Sequence, residues 1–249
     1  MKKCALIFGA LLLFVPVFSM AQTIMVDDQF GGLGDWEPAS GEWTTLGGFL
    51  FQNDETDALA RIDFPFDHQG EFQIEFKVRY RSGGFGSMED LQNQRFHGGF
   101  GIHVGVDEAA LGEVAWGNGE SYLLWLNLDT RPATQANYPQ HFGFRGQVYE
   151  STANYAMDLT DMNVDIMAAL ASVGINMSVN DLNAFINQNV PMRIRVNTRT
   201  GRILVNDPTS PTTWFYFDVD PAVLRAGNYL SLRTNGLGLR FDDFRIVRR

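Results

Sequence analysis

Carboxylates stand in adjacent pairs near both ends of the folded sequence. "MVDDQF" (25–30) carries Asp27 and Asp28, and "LGLRFDDFRIVRR" (237–249) carries Asp242 and Asp243. Such pairs suit acid–base work or ligation of a hard cation, and both uses need oxygens that converge. On a strand, adjacent residues point to opposite faces, so Asp242 and Asp243 share a substrate only if the backbone bulges. The apolar pattern also switches there: Leu237, Leu239 and Phe241 are odd-numbered, whereas Phe244 and Ile246 are even. The switch predicts a bulge, or a strand passing between two packing environments. A third acidic group, Glu71-Phe72-Gln73-Ile74-Glu75, places three polar side chains on one strand face, which equally suits a solvated face. The histidines (His68, His97, His103, His141) are scattered without metal-ligand spacing. Neither a Gly-x-Ser-x-Gly elbow nor a His-Glu-x-x-His or phosphate-loop motif occurs.

Strands must position these groups. "EFQIEFKVRYR" (71–81) alternates without a break: Phe72, Ile74, Phe76, Val78 and Tyr80 on one face, charged and polar residues on the other. "HGGFGIHVGV" (97–106) buries Phe100, Ile102 and Val104. Its other face is Gly99, Gly101, His103 and Gly105, which leaves room for a close approach to the backbone. "SYLLWLNLD" (121–129) turns Leu123, Trp125 and Asn127 outward, and "HFGFRGQVYE" (141–150) does so with His141, Arg145 and Gln147. Further strands are read at 41–54 around a Gly47-Gly48 turn, at 58–66, and as a hairpin over 190–207. The remaining strands are read at 212–220 and at the C-terminal end. Residues 155–189 differ: helical spacing, with Asn163 and Ser178 as caps and Gly174 as a stop, predicts a two-helix insertion. No repeat or linker divides the rest, so 22–249 reads as one all-β sandwich domain.

Lys2 and Lys3, an apolar run from Ala5 to Phe18, and Ser19-Met20-Ala21 form the pattern of a secretory signal. Cleavage is predicted after Ala21, with export to the periplasm or outside the cell. The single cysteine, Cys4, lies within that segment, so the folded part must rest on its core without disulfides. A formal net charge of −10 argues against nucleic acid or anionic lipid as the main partner. No later segment is apolar enough to span a bilayer.

The opening "DDQFGGLGDWEPASGEWTTLGGFLFQND", the alternating "FQIEFKVRY", the Gly-rich "GGFGIHV" and the closing "YLSLRTNGLGLRFDDFRI" together resemble the concanavalin A-like lectin/glucanase superfamily, which includes laminin-G-like modules. The resemblance covers most of the chain beyond residue 21 and implies a two-sheet antiparallel jelly roll. Glucanases of that superfamily present Glu-x-Asp-x-Glu on a strand; here Gln73 stands where Asp belongs, so no catalytic residue is assigned. If the strands pair as the resemblance implies, one sheet face gathers Glu75, Lys77, Arg79, His103, Trp125, Asn127, Arg145, Arg193 and Arg195. That mixture suits a polar ligand such as a glycan. The loops 116–121 and 129–140 are candidate rims, with Trp116 and Tyr138 as contacts. Jelly rolls of this type often hold one structural Ca²⁺, for which Asp28 and Asp243 are the expected ligands. Three functions follow in order: a non-catalytic glycan-binding module, an adhesive envelope protein that binds other proteins, and a glycoside hydrolase-like enzyme.

Overall fold

A computed structural model describes residues 22–109, 115–172, 174, 176, 187–208 and 212–249. The expected signal segment and residues 178–186 of the expected second helix lie outside the described residues. In chain order the strands are β1 (Thr23–Asp28), β2 (Glu37–Ser40), β3 (Trp43–Leu46), β4 (Phe49–Gln52), β5 (Arg61–Pro65), β6 (Glu71–Gly83) and β7 (His97–Val106). Then come β8 (Ser121–Asp129), β9 (Gly143–Ala153), β10 (Ala156–Asp165), β11 (Val190–Asn197), β12 (Arg202–Asn206), β13 (Trp214–Asp218), β14 (Tyr229–Asn235) and β15 (Leu237–Arg248). Short helices α1 (Met88–Gln92), α2 (Pro132–Asn137), α3 (Ile166–Ser172) and α4 (Pro221–Ala226) sit between them. None of the described helices is long and apolar enough to cross a membrane.

Two sheets stack face to face. Sheet A runs β13-β12-β11-β6-β15-β4-β3, with β1 also paired to β15; sheet B runs β10-β9-β8-β7-β14-β5-β2. The pairings are antiparallel throughout. The alternation of β6 puts Phe72, Ile74, Phe76 and Val78 in the core, where they meet Ile102 and Val104 of β7 and Leu230 and Leu232 of β14 in one cluster. Each such side chain removed from water contributes about 1.5–3 kcal/mol, so a chain whose single cysteine allows no internal disulfide can stand on this interior.

The acidic pair in β15 resolves as a bulge. Asp242 stands opposite Lys77 and Arg245 opposite Glu75, so β15 gains one residue over β6. Asp243 takes the extra place with φ +51°, and its carboxylate pairs with the Lys77 ammonium. Phe241 and Phe244 are consequently both fully buried. The strand changes neighbours at the same point: Leu239–Phe241 pair with β4, and Phe244–Arg248 pair with β1. The bulge and the change of packing environment are one event.

The insertion expected over 155–189 is a correction. Its first part is β10, which extends the edge of sheet B, and the helix begins only at Ile166. Asp165 caps that helix, its Oδ1 accepting the Ala168 amide at 3.0 Å, in place of the expected Asn163. Met162 and Val164 carry a period of two that the 3.6-residue reading absorbed. Gly174 does close the helical turn, with φ +82° and its amide bonded to the Ala171 carbonyl.

Two histidines are locked neutral. His68 is 1% exposed; its Nδ1 donates to the Phe66 carbonyl at 2.8 Å and its Nε2 accepts the Gly105 amide at 3.1 Å. Burial pushes its pKa from 6.5 down to about 4. Burial, reinforced by Arg233 and Arg61, holds His103 well below its ordinary range. The unfolded chain takes up these protons near pH 6.5 and the folded chain does not. Stability is therefore full above pH 6.5 and is lost as pH falls toward 4, with His68 alone accounting for roughly 3 kcal/mol. Urea midpoints measured from pH 7 to 4.5 should fall, and His68→Gln should flatten the slope; equal slopes would show that His68 does not carry it.

Candidate functional site

The outer face of sheet B carries a pocket whose floor is set by two glycines. Gly101 lies opposite Trp125 and Gly99 opposite Asn127 across the β7–β8 pair. A Cβ at either glycine would fall 2.4 or 2.9 Å from the indole, so the bare backbone is what lets Trp125 lie down against β7. Trp116 stands edge-on to that indole, centroids 6.3 Å apart at 89°.

A buried polar network fixes Trp116. Arg233 of β14 donates to the carbonyls of Ala115 and Trp116, the latter at 2.5 Å, and lies 5.3 Å from the Trp116 ring centroid. His103 Nε2 accepts from Arg233 at 3.3 Å, which leaves the proton on Nδ1 to reach Ser121 Oγ at 3.0 Å. Ser121 Oγ donates in turn to the Asn118 carbonyl at 2.9 Å. His103 is thus a brace beneath the loop, where the sequence suggested a ligand contact.

The other rim follows β8. Asp129 accepts from the Arg131 amide and Nε at 2.9 and 3.1 Å through one oxygen. Its other oxygen takes Arg131 Nη2 at 2.7 Å and Thr134 Oγ at 2.8 Å. Burial alone would raise the Asp129 pKa, but these donors outweigh it and hold the carboxyl below its usual range. The turn so formed launches α2, with Pro132 in its first turn. Asn127 Nδ2 donates to the His141 carbonyl at 2.9 Å and Asn163 Nδ2 to that of Gln140 at 2.8 Å, which tie down the far end of the loop. Tyr138 projects from it, 60% exposed.

Between the rims lies a cavity of about 460 Å³. Its walls are Trp116, Trp125, Tyr138, Tyr149 and Tyr155, with His141 stacked on Tyr149 at 6.5 Å and 6°. Its polar groups include Asn127, Asn235, His97 and the closed Asp129–Arg131 pair. Burial, then Arg131, pushes the His97 pKa down, and burial pushes Tyr149 up to about 12. At neutral pH the cavity offers ring faces, amides, phenols and a neutral imidazole, which can stack on a flat apolar surface and exchange hydrogen bonds with hydroxyls.

The sequence placed nine ligand residues on one sheet face; the structure divides them. Trp125 and Asn127 line the cavity. Arg145 shares their sheet but spends its guanidinium on the Phe142 carbonyl at 2.8 Å and on Asp165 at 3.5 Å. Glu75, Lys77, Arg79, Arg193 and Arg195 belong to β6 and β11 and occupy the outer face of sheet A, on the opposite side of the sandwich. Alternation gives the face of a strand but not its sheet, and β6 and β7, consecutive in sequence, lie in different sheets. The expected rim contacts Trp116 and Tyr138 do line the cavity; Tyr149, Tyr155 and His97 were missed. Parity along "HFGFRGQVYE" puts Tyr149 beside His141 and Gln147, so that signal was present. Glu71 and Glu75 do not converge: Glu75 accepts from Gln73, and Glu71 from Asn197 at 3.3 Å.

The two expected calcium ligands each make contacts within the protein. Asp28 accepts the Phe30 amide at 2.7 Å on one oxygen and Trp36 Nε1 at 2.8 Å on the other, while Asp243 faces Lys77. No group of three His, Cys, Asp or Glu side chains gathers among the described residues.

The two stacked sheets define an antiparallel jelly-roll sandwich with a pocket on one outer face. No family model matches the sequence, and no curated protein does. Among solved structures, the fold is similar to the CBM2 module of the evolved Dit of Lactobacillus casei BL23 phage J-1, at 7% identity and TM-score 0.53, over 91% of this chain and 96% of that one. It is also similar to a legume lectin-like domain from Entamoeba histolytica, at 10% identity and TM-score 0.51, over 87% and 91% of the two chains.

Proposed function

We propose that this chain is an exported, non-catalytic module that holds a glycan in the pocket on the outer face of sheet B. The carrying observation is the cavity itself: aromatic walls from Trp116, Trp125 and Tyr138 around the amides of Asn127 and Asn235. Sugar rings have an apolar face and a rim of hydroxyls, and this pocket offers a surface for each. A CBM2 module and a legume lectin-like domain share the fold, which supports the reading. The pattern of residues 1–21 supports export to the periplasm or beyond the cell.

A glycan array on the purified protein tests this. Binding to a subset of glycans is expected, and Tyr138→Ala and Trp116→Ala should each weaken it about tenfold, equivalent to about 1.4 kcal/mol. Tyr138 is 60% exposed, so its loss leaves the fold intact. An array without any bound glycan, or both variants binding as tightly as wild type, would overturn the proposal. A blank array with capture of a cell-envelope protein would favour the adhesive alternative.

A further inference from the structure

The outer face of sheet A, which the pocket does not use, gathers positive charge in an acidic chain. Thr44, Phe51, Arg240 and Arg79 form one row across β3, β4, β15 and β6, each directly opposite the next. Arg240 and Arg79 are thus like charges face to face, an arrangement that costs stability. The guanidiniums here are held by rings and amides. Arg240 lies over Phe49 at 4.2 Å and donates to Asn189 Oδ1 at 2.7 Å. Arg81 lies over Phe51 at 4.7 Å and donates to Asn53 Oδ1 at 2.8 Å. Arg79 is exposed and makes no side-chain hydrogen bond or ion pair among the described residues. On one side the patch ends at Lys77, which Asp243 neutralises and Asp242 adjoins.

Aromatic faces and amides hold a guanidinium in place without cancelling its charge, leaving N–H edges for an oxyanion. A carboxylate opposite Arg79 would relieve the repulsion, and the sequence supplies an arginine. We propose that this face is a second binding surface, for an anionic polysaccharide whose carboxylate or sulfate groups sit on Arg79, Arg81 and Arg240. A membrane surface fits less well, because Phe49 and Phe51, the rings that would enter the lipid, lie beneath the arginines. The formal net charge of −10 hides this face, and the acidic remainder orients it toward a polyanion.

Calorimetric titration of the purified protein with polygalacturonate, dextran sulfate, neutral dextran and anionic phospholipid vesicles tests the proposal. Binding is expected to at least one of the two charged polysaccharides at low salt and not to dextran. It should weaken steeply as salt rises from about 0.02 M to about 0.5 M, where the Debye length shrinks to a few ångströms. Replacing Arg79, Arg81 and Arg240 together by Gln should weaken it at least about tenfold, or about 1.4 kcal/mol. Arg79→Glu, at an exposed position without a side-chain partner among the described residues, should weaken it on a fold that stays intact. No binding to either charged polysaccharide, undiminished binding by Arg79→Glu, or binding to the vesicles alone would overturn the proposal. Tyr138→Ala should leave this binding unchanged, so failure here and failure of the glycan pocket are read separately.

Discussion

Deleting Asp243 is expected to abolish the folded state, whereas Asp243→Gly should fold with a stability within about 1 kcal/mol of wild type. The contrast isolates the extra residue from its charge. Without it β15 becomes a regular strand, and a one-residue slip turns every side chain on one side of the deletion to the other face. Phe244 and Ile246, both fully buried, would then face solvent, or Leu237, Leu239 and Phe241 would. Losing the burial of two or three such side chains removes about 1.5–3 kcal/mol each before the emptied space is counted. The Phe244 ring also packs against Trp36 at 4.9 Å, so the loss spreads to the β1–β2 connection. Against a net stability of about 5–15 kcal/mol, that is enough to unfold the domain. Glycine keeps the bulge because φ +51° suits it, and gives up only a half-exposed ion pair with Lys77. Circular dichroism and urea unfolding read both variants; a deletion variant that melts like wild type would show that β15 re-registers without cost.

The bulge was legible because burial on both sides of a strand leaves a parity record in the residues. Phe241 and Phe244 could both be buried only if one residue was added between them. The glycine face of β7 was legible for a similar reason: Gly99 and Gly101 announce that something lies on the backbone, although the sequence does not say it is the Trp125 indole. What stayed hidden was the sheet to which each strand belongs. Parity is local, whereas strand order depends on long-range pairings such as β6 with β15 and β11, about 165 and 120 residues apart in the chain. The nine expected contacts alternate away from the core on their strands, but they divide between the two sheets and so do not form one face. The insertion was misread because Met162 and Val164 run directly into the helical spacing of Ile166 and Leu170, and a short window holds both periods.

The second large effect is expected from Asp63→Asn, which should cost about 3–5 kcal/mol and weaken the proposed glycan binding at the same time. Arg61 and Arg233 stand directly opposite each other on β5 and β14, and both are fully buried. Asp63, 1% exposed, pairs with Arg61 through Oδ1 at 3.2 Å. Burial, with Arg61 adding repulsion, already pushes the Arg233 pKa down to about 9, and Asp63 is the first of the charges that hold it up. Asparagine matches the shape of aspartate but removes the charge, so two buried cations would face each other without it. The strain falls on the Arg233 grip on the Ala115 and Trp116 carbonyls, and so on the wall of the pocket. Substituting Arg61→Met together with Asp63→Leu tests the same logic in reverse. Replacing a buried pair by apolar groups of similar volume is often close to neutral, so the double variant should recover most of the loss. Urea midpoints and array signals should fall together in the single variant and return together in the double. A single variant within 1 kcal/mol of wild type would mean that the charge of Arg61 and Arg233 is balanced elsewhere under the loop, and that Trp116 is held by packing.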